Sequence, residues 1–299
     1  MTTTGTGRSS RALPDGMRLN ERYTINHALG LGGFGITYLA YDFVRQTPCA
    51  IKEYFPVEWA VRETKNMAIR CTRGNEDFFE HGMQVFIEEA NLLVDLKHVT
   101  SIVDVWDIFC EYGTIFMVME YVDGVSVSNF MKQTGRPMSL NQAGEMLLQI
   151  ARALASIHRS MLLHRDISPD NILYKPSEDV FVLIDFGSTR AFAFGSPNSM
   201  SVLVKPGFAP IEQYSKGGRQ GPWTDVYALA ATYYYAVTGK KVPPAPDREL
   251  GEPLIPLNRF VPTLAPQISN AVERALCTQI EGRPQTVEEF LYDMTGMYM

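Results

Sequence analysis

Two short segments constrain this chain more than any others: HRDISPDN at residues 164–171 and DFG at residues 185–187. They place Asp166 and Asn171 five residues apart on a tight loop and a second Asp on a glycine turn. This arrangement suits phosphoryl transfer, in which one acid takes up the proton of an attacking hydroxyl while the Asn and the second Asp hold Mg²⁺ against nucleotide phosphates. The segments therefore predict Asp166 as the catalytic base and Asn171 and Asp185 as metal ligands.

The same segments match the H-R-D-L-x-x-x-N and D-F-G motifs almost completely. On these residues the chain resembles the eukaryotic-like (Hanks-type) protein kinases, and its N-terminal sequence is most similar to the bacterial serine/threonine branch. The resemblance extends from about residue 23 to residue 294. It implies an α+β, bilobal protein kinase fold, with a small mostly-β N-lobe that has one main helix and a larger mostly-α C-lobe.

Length and composition agree with that expectation. A chain of 299 residues exceeds the usual single core, so two lobes are expected. The net charge of −6 argues against a nucleic-acid partner and against an anionic membrane surface. The four cysteines are scattered, which indicates neither a zinc site nor a disulfide framework. The sequence has no long apolar run and no charged-then-apolar signal segment, so we expect a cytoplasmic protein with no membrane contact in this chain. A membrane anchor in a longer parent chain stays open as an alternative.

The domain boundaries follow from composition and from the motif order. Residues 1–16 are rich in Thr, Ser, Gly and Arg and predict a disordered leader. Residues 17–122 would form the N-lobe, with an insertion at about 53–75 whose aromatic and charged residues favour an ordered flap. Residues 123–299 would form the C-lobe, in which 185–212 is the activation segment.

A glycine-rich run in the N-lobe predicts a phosphate-binding loop. Gly30, Gly32 and Gly35 have the G-x-G-x-x-G spacing that lets backbone amides approach phosphate oxygens. Dinucleotide-binding folds share this spacing but continue into a helix, whereas here a β-branched and aromatic strand follows. The resemblance implies that the nucleotide contacts are Leu29, Gly30, Gly32, Gly33, Phe34, Gly35, Thr37 (where Val is usual), Ala50, Lys52, Met119, Glu120, Val122 and Leu173.

Lys52 ends a Cys-Ala-Ile-Lys segment that resembles the V-A-I-K strand of the kinases, in which the Lys pairs with the α- and β-phosphates. Its partner should be a Glu on the next helix, predicted from apolar spacing in residues 86–98. Two candidates compete there, Glu88 and Glu89. Glu89 matches the family spacing, whereas Glu88 lies about 100° around the helix.

The resemblance also assigns supporting residues to the C-lobe. His164 is expected to pack against Phe186 rather than to perform acid–base chemistry. Asp225 would hold the catalytic-loop backbone. Glu212 and Arg283 would form a buried ion pair. A helix is predicted from residue 140 to residue 159 by apolar residues at spacings of three and four.

The chain departs from the serine/threonine kinases at two catalytic positions. The Lys that these enzymes usually carry two residues after the base is replaced by Ser168, and the usual Thr before the A-P-E motif is replaced by Lys205. One interpretation is an exchange, in which the Lys205 ammonium reaches back between Asp166 and the γ-phosphate. The other is two unrelated changes with Lys205 in solvent.

Two hypotheses describe how the activation segment is held in place. Arg165 is the family's usual receiver of an activation-segment phosphate, so phosphorylation of Ser196, Ser199 or Ser201 would create a group that pairs with Arg165 and Arg190. Alternatively, the apolar side chains of the segment hold it without modification. Those side chains are Phe192, Phe194, Val202 and Leu203.

The favoured function is ATP- and Mg²⁺-dependent transfer of the γ-phosphoryl group to Ser or Thr hydroxyls of protein substrates, with Mn²⁺ as an alternative metal. Self-phosphorylation in trans is a further expectation. Because Ser168 replaces the usual catalytic-loop Lys, a second hypothesis is a pseudokinase scaffold that binds nucleotide or partner proteins with little catalysis. A small-molecule kinase is third, because such enzymes generally lack the Glu212–Arg283 and Asp225 features.

Overall fold

The computed structural model describes residues 11–97, 99–186, 190–191, 204–215 and 217–297. The chain divides into two compact units. The N-lobe comprises the described residues up to 97 together with Val103–Val122. The C-lobe comprises Val99–Ile102 and the described residues from Asp123 onward. The first unit is mostly β and the second mostly α, in agreement with the expected architecture.

The N-lobe is built on one antiparallel sheet and one long helix. Its elements are β1 (Arg18–Leu19), β2 (Tyr23–Leu31), β3 (Gly35–Asp42), β4 (Thr47–Tyr54), β5 (Ala60–Arg62), β6 (Ile69–Cys71), α1 (Glu76–Asp95), β7 (Val105–Glu111) and β8 (Thr114–Glu120). The strand order in the main sheet is β1-β2-β3-β4-β8-β7. In β3 the buried Ile36, Tyr38 and Ala40 alternate with more exposed residues, because successive side chains of a strand point to opposite faces.

The predicted disordered leader of residues 1–16 is wrong at its C-terminal end. The side chain of Leu13 is buried, and its amide donates a hydrogen bond to the Tyr38 hydroxyl at 3.1 Å. The amide of Gly16 donates to the carbonyl of Ile25 at 2.8 Å. The polar composition of the whole stretch conceals one apolar residue that gains stability from burial in the N-lobe. Residues 1–10 lie outside the described residues.

The insertion between β4 and α1 is ordered and starts slightly later than predicted. Glu53 and Tyr54 complete β4, since they pair with Ile36 and Gly35 of β3. The added segment is therefore residues 55–75, and it contains the β5–β6 hairpin with the pairs Ala60↔Cys71 and Val61↔Arg70.

The C-lobe is mostly helical. Its elements are β9 (Val125–Ser126), α2 (Val127–Thr134), α3 (Leu140–Arg159), β10 (Leu162–Leu163), β11 (Ile172–Lys175), β12 (Val180–Leu183), β13 (Arg190–Ala191), α4 (Pro222–Thr238), α5 (Ala245–Glu249), α6 (Leu257–Phe260), α7 (Pro266–Ala275) and α8 (Val287–Thr295). Short 3₁₀ turns occur at Ile211–Gln213 and Ile280–Gly282.

Helices α3 and α4 form the core of the C-lobe. The bounds of α3 are the predicted ones, because Ser139 begins the helix with a capping box whose partner is Gln142, and apolar residues then recur on one face. Helix α4 is buried over most of its surface, including the polar Thr224 and Asp225 at its first turn. None of the helices within the described residues has the length and apolar composition of a membrane span.

Candidate active site

The glycine-rich loop joins β2 to β3 in the N-lobe. Gly30 pairs with Thr37, and the amide of Gly32 donates to the carbonyl of Gly35 at 2.8 Å. A Cβ at Gly35 would lie 2.6 Å from the Glu53 carbonyl oxygen, so only glycine lets the loop pass so close to β4. A Cβ at Gly30 would meet nothing within 4 Å, so this part of the loop borders open space.

Lys52 on β4 pairs with Glu89 on α1. The Lys52 Nζ lies 3.5 Å from the Glu89 Oε1, and both side chains are largely buried, with exposed fractions of 13% and 4%. Glu88 instead accepts a hydrogen bond from Gln84 on the exposed side of the helix. The structure therefore brings Glu89 and not Glu88 to Lys52, which is the choice that the family spacing favours.

The last N-lobe strand holds the residues predicted to face an adenine. Met119 of β8 is buried and lies opposite Ala50 of β4. The amide of Glu120 donates to the carbonyl of Asp104 at 2.8 Å, so the carbonyl is the backbone group of Glu120 that a nucleotide could use. Val122 ends this unit. Leu173, predicted to contact the same base, is half-buried on β11 of the C-lobe.

The catalytic loop of the C-lobe is held by Asp225 from the first turn of α4. Its fully buried carboxylate accepts hydrogen bonds from the amides of His164 and Arg165, at 2.9 and 2.8 Å, and contacts the His158 Nε2 at 2.9 Å. Burial opposes its ionisation, but hydrogen bonds from His158 and the Arg165 amide outweigh burial and lower the Asp225 pKa. Arg165 has a φ of 70°, a strained conformation for a non-glycine residue, which these bonds stabilise.

Asp166 lies at the centre of a small polar cluster. The side-chain amide of Asn171 donates to both the backbone carbonyl and the Oδ2 of Asp166, each at 2.7 Å. Burial raises the Asp166 pKa, while the nearby Lys205 and His164 act in the opposite direction. A carboxylate with a raised pKa is a stronger base than an exposed one.

Lys205 extends toward the catalytic loop. Its Nζ lies 3.3 Å from the Asp166 Oδ1 and donates to the Ser168 hydroxyl at 2.8 Å. Ser168 is fully buried, so its hydroxyl is a fixed acceptor for the ammonium. The alternative, in which Lys205 extends into solvent, does not describe this geometry.

Asn171 and Asp185 supply oxygen atoms of the type that Mg²⁺ prefers. The Ile184 amide donates to the Asn171 carbonyl at 2.9 Å, which brings Asp185 next to the catalytic loop. Asn171 uses its amide nitrogen on Asp166, which leaves its side-chain oxygen as an acceptor. Within the described residues, no cluster of three or more His, Cys, Asp or Glu could hold a metal alone. These residues therefore fit a metal that nucleotide phosphates also bind.

His164 is placed to support the loop. Its ring centroid lies 4.6 Å from that of Phe186 in an edge-to-face contact, as predicted. Complete burial lowers the His164 pKa and favours the neutral imidazole, whose Nδ1 accepts the Asp166 amide at 3.3 Å. The predicted ion pair between Glu212 and Arg283 is also present, at 2.8 Å and fully enclosed.

The regulatory residues are only partly described. The carbonyl of Arg165 accepts a hydrogen bond from the Gln213 side chain at 2.8 Å. The backbone of Arg190 pairs with Leu163 of β10, which places β13 beside the start of the catalytic loop. The Arg190 side chain and all of Ser196, Ser199 and Ser201 lie outside the described residues.

Sequence reasoning missed some contacts of the site. His158, in the last turn of α3, bonds to Asp225, which is 67 residues away along the chain. Phe55 and Val57 of the insertion contact the glycine-rich loop, and the family motifs give no signal for them. These contacts join residues that are distant in the sequence, and the motifs do not indicate which residues are partners.

Comparisons with known proteins agree with the family that the motifs resemble. A family model described as "Protein kinase domain" matches residues 23–251. The chain is 29% identical over 284 residues to serine/threonine-protein kinase PknA of Nostoc sp., covering 91% of this chain and 47% of that protein. It is 34% identical over 232 residues to serine/threonine-protein kinase D of Synechocystis sp., covering 75% and 42%. The chain thus spans less than half the length of these curated relatives.

Solved structures give the same result for the fold. The apo form of PpkA-294 matches with a TM-score of 0.82 and 34% identity, covering 95% of this chain and 100% of that one. A variant of the Mycobacterium tuberculosis PknI kinase domain matches with a TM-score of 0.69 at 24% identity, over 95% of this chain and 98% of that one. The second likeness supports the bilobal fold alone.

Proposed function

Because the chain belongs to the protein kinase family, in its bacterial Hanks-type serine/threonine branch, we propose that it transfers the γ-phosphoryl group of ATP to Ser or Thr hydroxyls of protein substrates. The observation that carries this proposal is the polar cluster of the catalytic loop. There Asn171 orients Asp166, and Lys205 lies beside both Asp166 and Ser168.

Asp166 is the proposed base. Its Oδ2 is fixed by the Asn171 amide, and its Oδ1 lies 3.3 Å from the Lys205 ammonium. A carboxylate oxygen can accept more than one proton donor, so Oδ1 would accept the proton of the attacking hydroxyl beside that ammonium. Burial raises its pKa toward the range in which a carboxylate removes a proton most effectively at neutral pH. The residues held by Asp225 keep this oxygen in place without reorganisation during transfer.

Lys205 is proposed to stabilise the negative charge of the transferred phosphoryl group. Its ammonium replaces the one that serine/threonine kinases usually carry on the catalytic loop, and the Ser168 hydroxyl fixes it there. In the N-lobe, Lys52 would bind the α- and β-phosphates while Glu89 holds its ammonium in place. The glycine-rich loop would add backbone amides to the same phosphates.

Asn171 and Asp185 are the proposed metal ligands, with Mg²⁺ as the metal and Mn²⁺ as its alternative. When bound, such an ion neutralises phosphate charge and fixes the orientation of the β- and γ-phosphates. Activation-segment phosphorylation, with Arg165 as the receiver, self-phosphorylation in trans and a cytoplasmic location are further parts of the proposal.

The second candidate is a scaffold that binds nucleotide with little catalysis, and its support is the missing catalytic-loop Lys at Ser168. The position of Lys205 weakens that support, because an ammonium is present in the cluster after all. A small-molecule kinase is less favoured, because Glu212, Arg283 and Asp225 make the contacts that such enzymes generally lack.

One experiment separates these functions. Radiolabelled ATP is incubated with the protein alone, with a generic protein substrate and with a panel of small alcohols, each with Asp166→Asn as control. We expect label on protein Ser or Thr and none with the Asp166→Asn variant. Label on an alcohol alone would support the third candidate, and ATP binding without any transfer would support the scaffold.

A further inference from the structure

The insertion at residues 55–75 is joined to the glycine-rich loop by backbone hydrogen bonds. The Phe55 amide donates to the carbonyl of Phe34 at 2.9 Å, and the Val57 amide donates to the carbonyl of Gly33 at 3.1 Å. Both carbonyls belong to the part of the loop that precedes β3. Such bonds reduce the freedom of a loop that glycine would otherwise leave conformationally permissive.

The strand residue that leads into the insertion also packs against α1, the helix that carries Glu89. The buried ring of Tyr54 lies 5.3 Å from that of Phe79 and 5.9 Å from that of Phe86. A Cβ built on Gly82 would lie only 2.0 Å from the Tyr54 hydroxyl oxygen and 2.8 Å from its Cζ. With any larger residue at position 82, the buried ring of Tyr54 would have to shift for the helix to keep this distance from β4.

The packing of Tyr54 on α1 also involves a residue next to the Lys52–Glu89 ion pair. The Lys52 Nζ lies 5.8 Å from the centroid of the Phe86 ring, against which Tyr54 packs, and 3.5 Å from Glu89. Helix α1 presents Phe79, Gly82, Phe86 and Glu89 at spacings of three and four, so all four lie along one face. The distance between α1 and β4 thus sets the distance between Lys52 and Glu89.

The insertion is itself fixed to the rest of the N-lobe by buried polar contacts. The Arg62 guanidinium, almost fully enclosed, lies 2.6 Å from the Glu53 Oε2, and Tyr38 donates to the same oxygen at 2.7 Å. The Ile69 amide donates to the carbonyl of Tyr112 at 2.7 Å. Removing one partner of a buried ion pair leaves an uncompensated charge, so this anchor resists opening.

We infer that Tyr54, with the insertion that follows it, is a positioning device for the nucleotide-binding half of the proposed reaction. It restrains the glycine-rich loop through Phe55 and Val57. It also fixes the distance of α1 from β4 through the Tyr54–Gly82 contact, so that Glu89 lies beside Lys52 before any nucleotide binds. Gly82 and Tyr54 are positioning residues, and this role rests on the proposed function.

The test compares two glycines that lie inside helices. Gly82→Ala introduces the clash with Tyr54, whereas Gly144→Ala in α3 introduces a Cβ with nothing within 4 Å. Ala favours a helix over Gly in both places, so helix propensity predicts no damage from either change. Tyr54→Phe with Gly82→Ala removes the nearest clashing atom. The Tyr54 hydroxyl has no hydrogen-bond partner among the described residues, so Tyr54→Phe alone breaks no hydrogen bond and serves as the reference for the double variant.

Dissociation constants for Mg²⁺·ADP and for adenosine are measured by calorimetry on the full chain. Gly82→Ala should weaken ADP binding by about tenfold, the size expected for one charge-assisted hydrogen bond, and leave adenosine binding unchanged. Gly144→Ala should match wild type, and the double variant should recover part of the ADP affinity. Equal losses for ADP and adenosine, or no recovery in the double variant, would indicate general damage and overturn the inference.

Hydrogen exchange separates this inference from the proposed function. If wild type binds ADP no better than adenosine, the proposed use of Lys52 and the glycine-rich loop fails. The positioning role is still decided by amide exchange in the free protein. We expect slow exchange at Phe55 and Val57 and faster exchange along α1 in Gly82→Ala. Unprotected amides at Phe55 and Val57, or an unchanged α1, would overturn the inference.

Discussion

Ser168 and Lys205 stand at two positions where serine/threonine kinases usually carry Lys and Thr. In the structure, the Lys205 ammonium donates to Ser168 at 2.8 Å and lies 3.3 Å from Asp166. At an effective dielectric constant near 20, a unit charge at about 4 Å is worth roughly 4 kcal/mol before desolvation. A charge placed there can therefore contribute strongly to a transition state that develops negative charge on phosphate oxygens.

Replacing Lys205 by Ala should lower kcat by about ten- to a thousandfold, the range seen for single electrostatic groups, and change ATP affinity much less. The exposed Lys132 on α2 offers a control, since Lys132→Ala removes the same charge from the surface. Steady-state kinetics with separate measurement of ATP binding would check this expectation.

The double variant Ser168→Lys with Lys205→Thr restores the arrangement that serine/threonine kinases usually have. If the two residues have exchanged roles, this variant should recover much of the kcat lost in Lys205→Ala. A Lys205→Ala protein with full kcat would refute the exchange, and Ser168 would then support the scaffold interpretation.

The pH dependence of kcat/KM provides a second prediction at Asp166. Burial raises the pKa of this carboxyl, and Lys205 partly offsets that effect. A base must be ionised to accept a proton, so activity falls as the pH falls through the Asp166 pKa. Lys205→Ala removes the offset and should move this acidic limb to higher pH, whereas Lys132→Ala should not. A limb that stays in place in Lys205→Ala would show that Asp166 is not the titrating base.

At the scale of elements, α4 holds the catalytic loop through Asp225. The pKa of the Asp225 carboxyl is lowered in the folded protein. The stability that this carboxylate provides is therefore present above its unfolded pKa and is lost as the pH falls through its folded pKa.

Asp225→Ala leaves the amides of His164 and Arg165 without their acceptor, each at a cost of about 1–3 kcal/mol. Urea unfolding should show that loss near neutral pH, and the exposed Glu252→Ala should stay close to wild type. Equal stability of the two variants would contradict this role.

The ion pair of Glu212 with Arg283 joins the end of the activation segment to the loop before α8. Because both side chains are enclosed, Arg283→Met should leave a buried charge and lower the free energy of unfolding by about 3–5 kcal/mol. Arg259→Met removes an exposed guanidinium from α6 and serves as the matched control. Thermal or chemical denaturation of both variants would check the difference; a change of the same size in both would contradict it.

Elements with a local sequence signal could be predicted, and those held by distant contacts could not. The bounds of α3 follow from its cap and its apolar spacing, both of which lie within the helix. Helix α1 starts at Glu76, well before the predicted segment, because its first turns face the insertion, where Trp59 packs on Phe78. The β5–β6 hairpin has no such local signal, since its anchor is the contact of Arg62 with Glu53.

In the candidate site too, residues within motifs could be predicted, and contacts between distant segments could not. Asp166, Asn171, Asp185, Lys52 and Glu89 could be placed because family motifs fix their spacing. The approach of Lys205 to Asp166 could be proposed but not decided, since it depends on how the activation segment returns to the loop. The contact of Gly82 with the ring of Tyr54 has no signal in the sequence, because the two residues lie on different elements.

At the scale of the whole molecule, each lobe carries part of the proposed chemistry: Lys52 and the glycine-rich loop in one, Asp166, Asn171 and Asp185 in the other. Asp185→Asn should abolish transfer by weakening a metal ligand, and Lys52→Met should lower transfer strongly in a protein that still folds. Transfer assays across Mg²⁺ and Mn²⁺ concentrations would measure both. An Asp185→Asn protein that transfers at the normal rate would remove the metal assignment.

The most direct test of the proposed function is the single-turnover rate of phosphoryl transfer to a protein hydroxyl at saturating ATP, in wild type and in Asp166→Asn. Asn keeps the size of the side chain and removes its ability to accept a proton. We predict a rate about 10²- to 10⁴-fold lower in the variant, with ATP affinity within a few-fold of wild type, as expected for the loss of a general base. Equal rates in the two proteins, or ATP binding without transfer in wild type, would contradict the assignment of this chain as an active kinase.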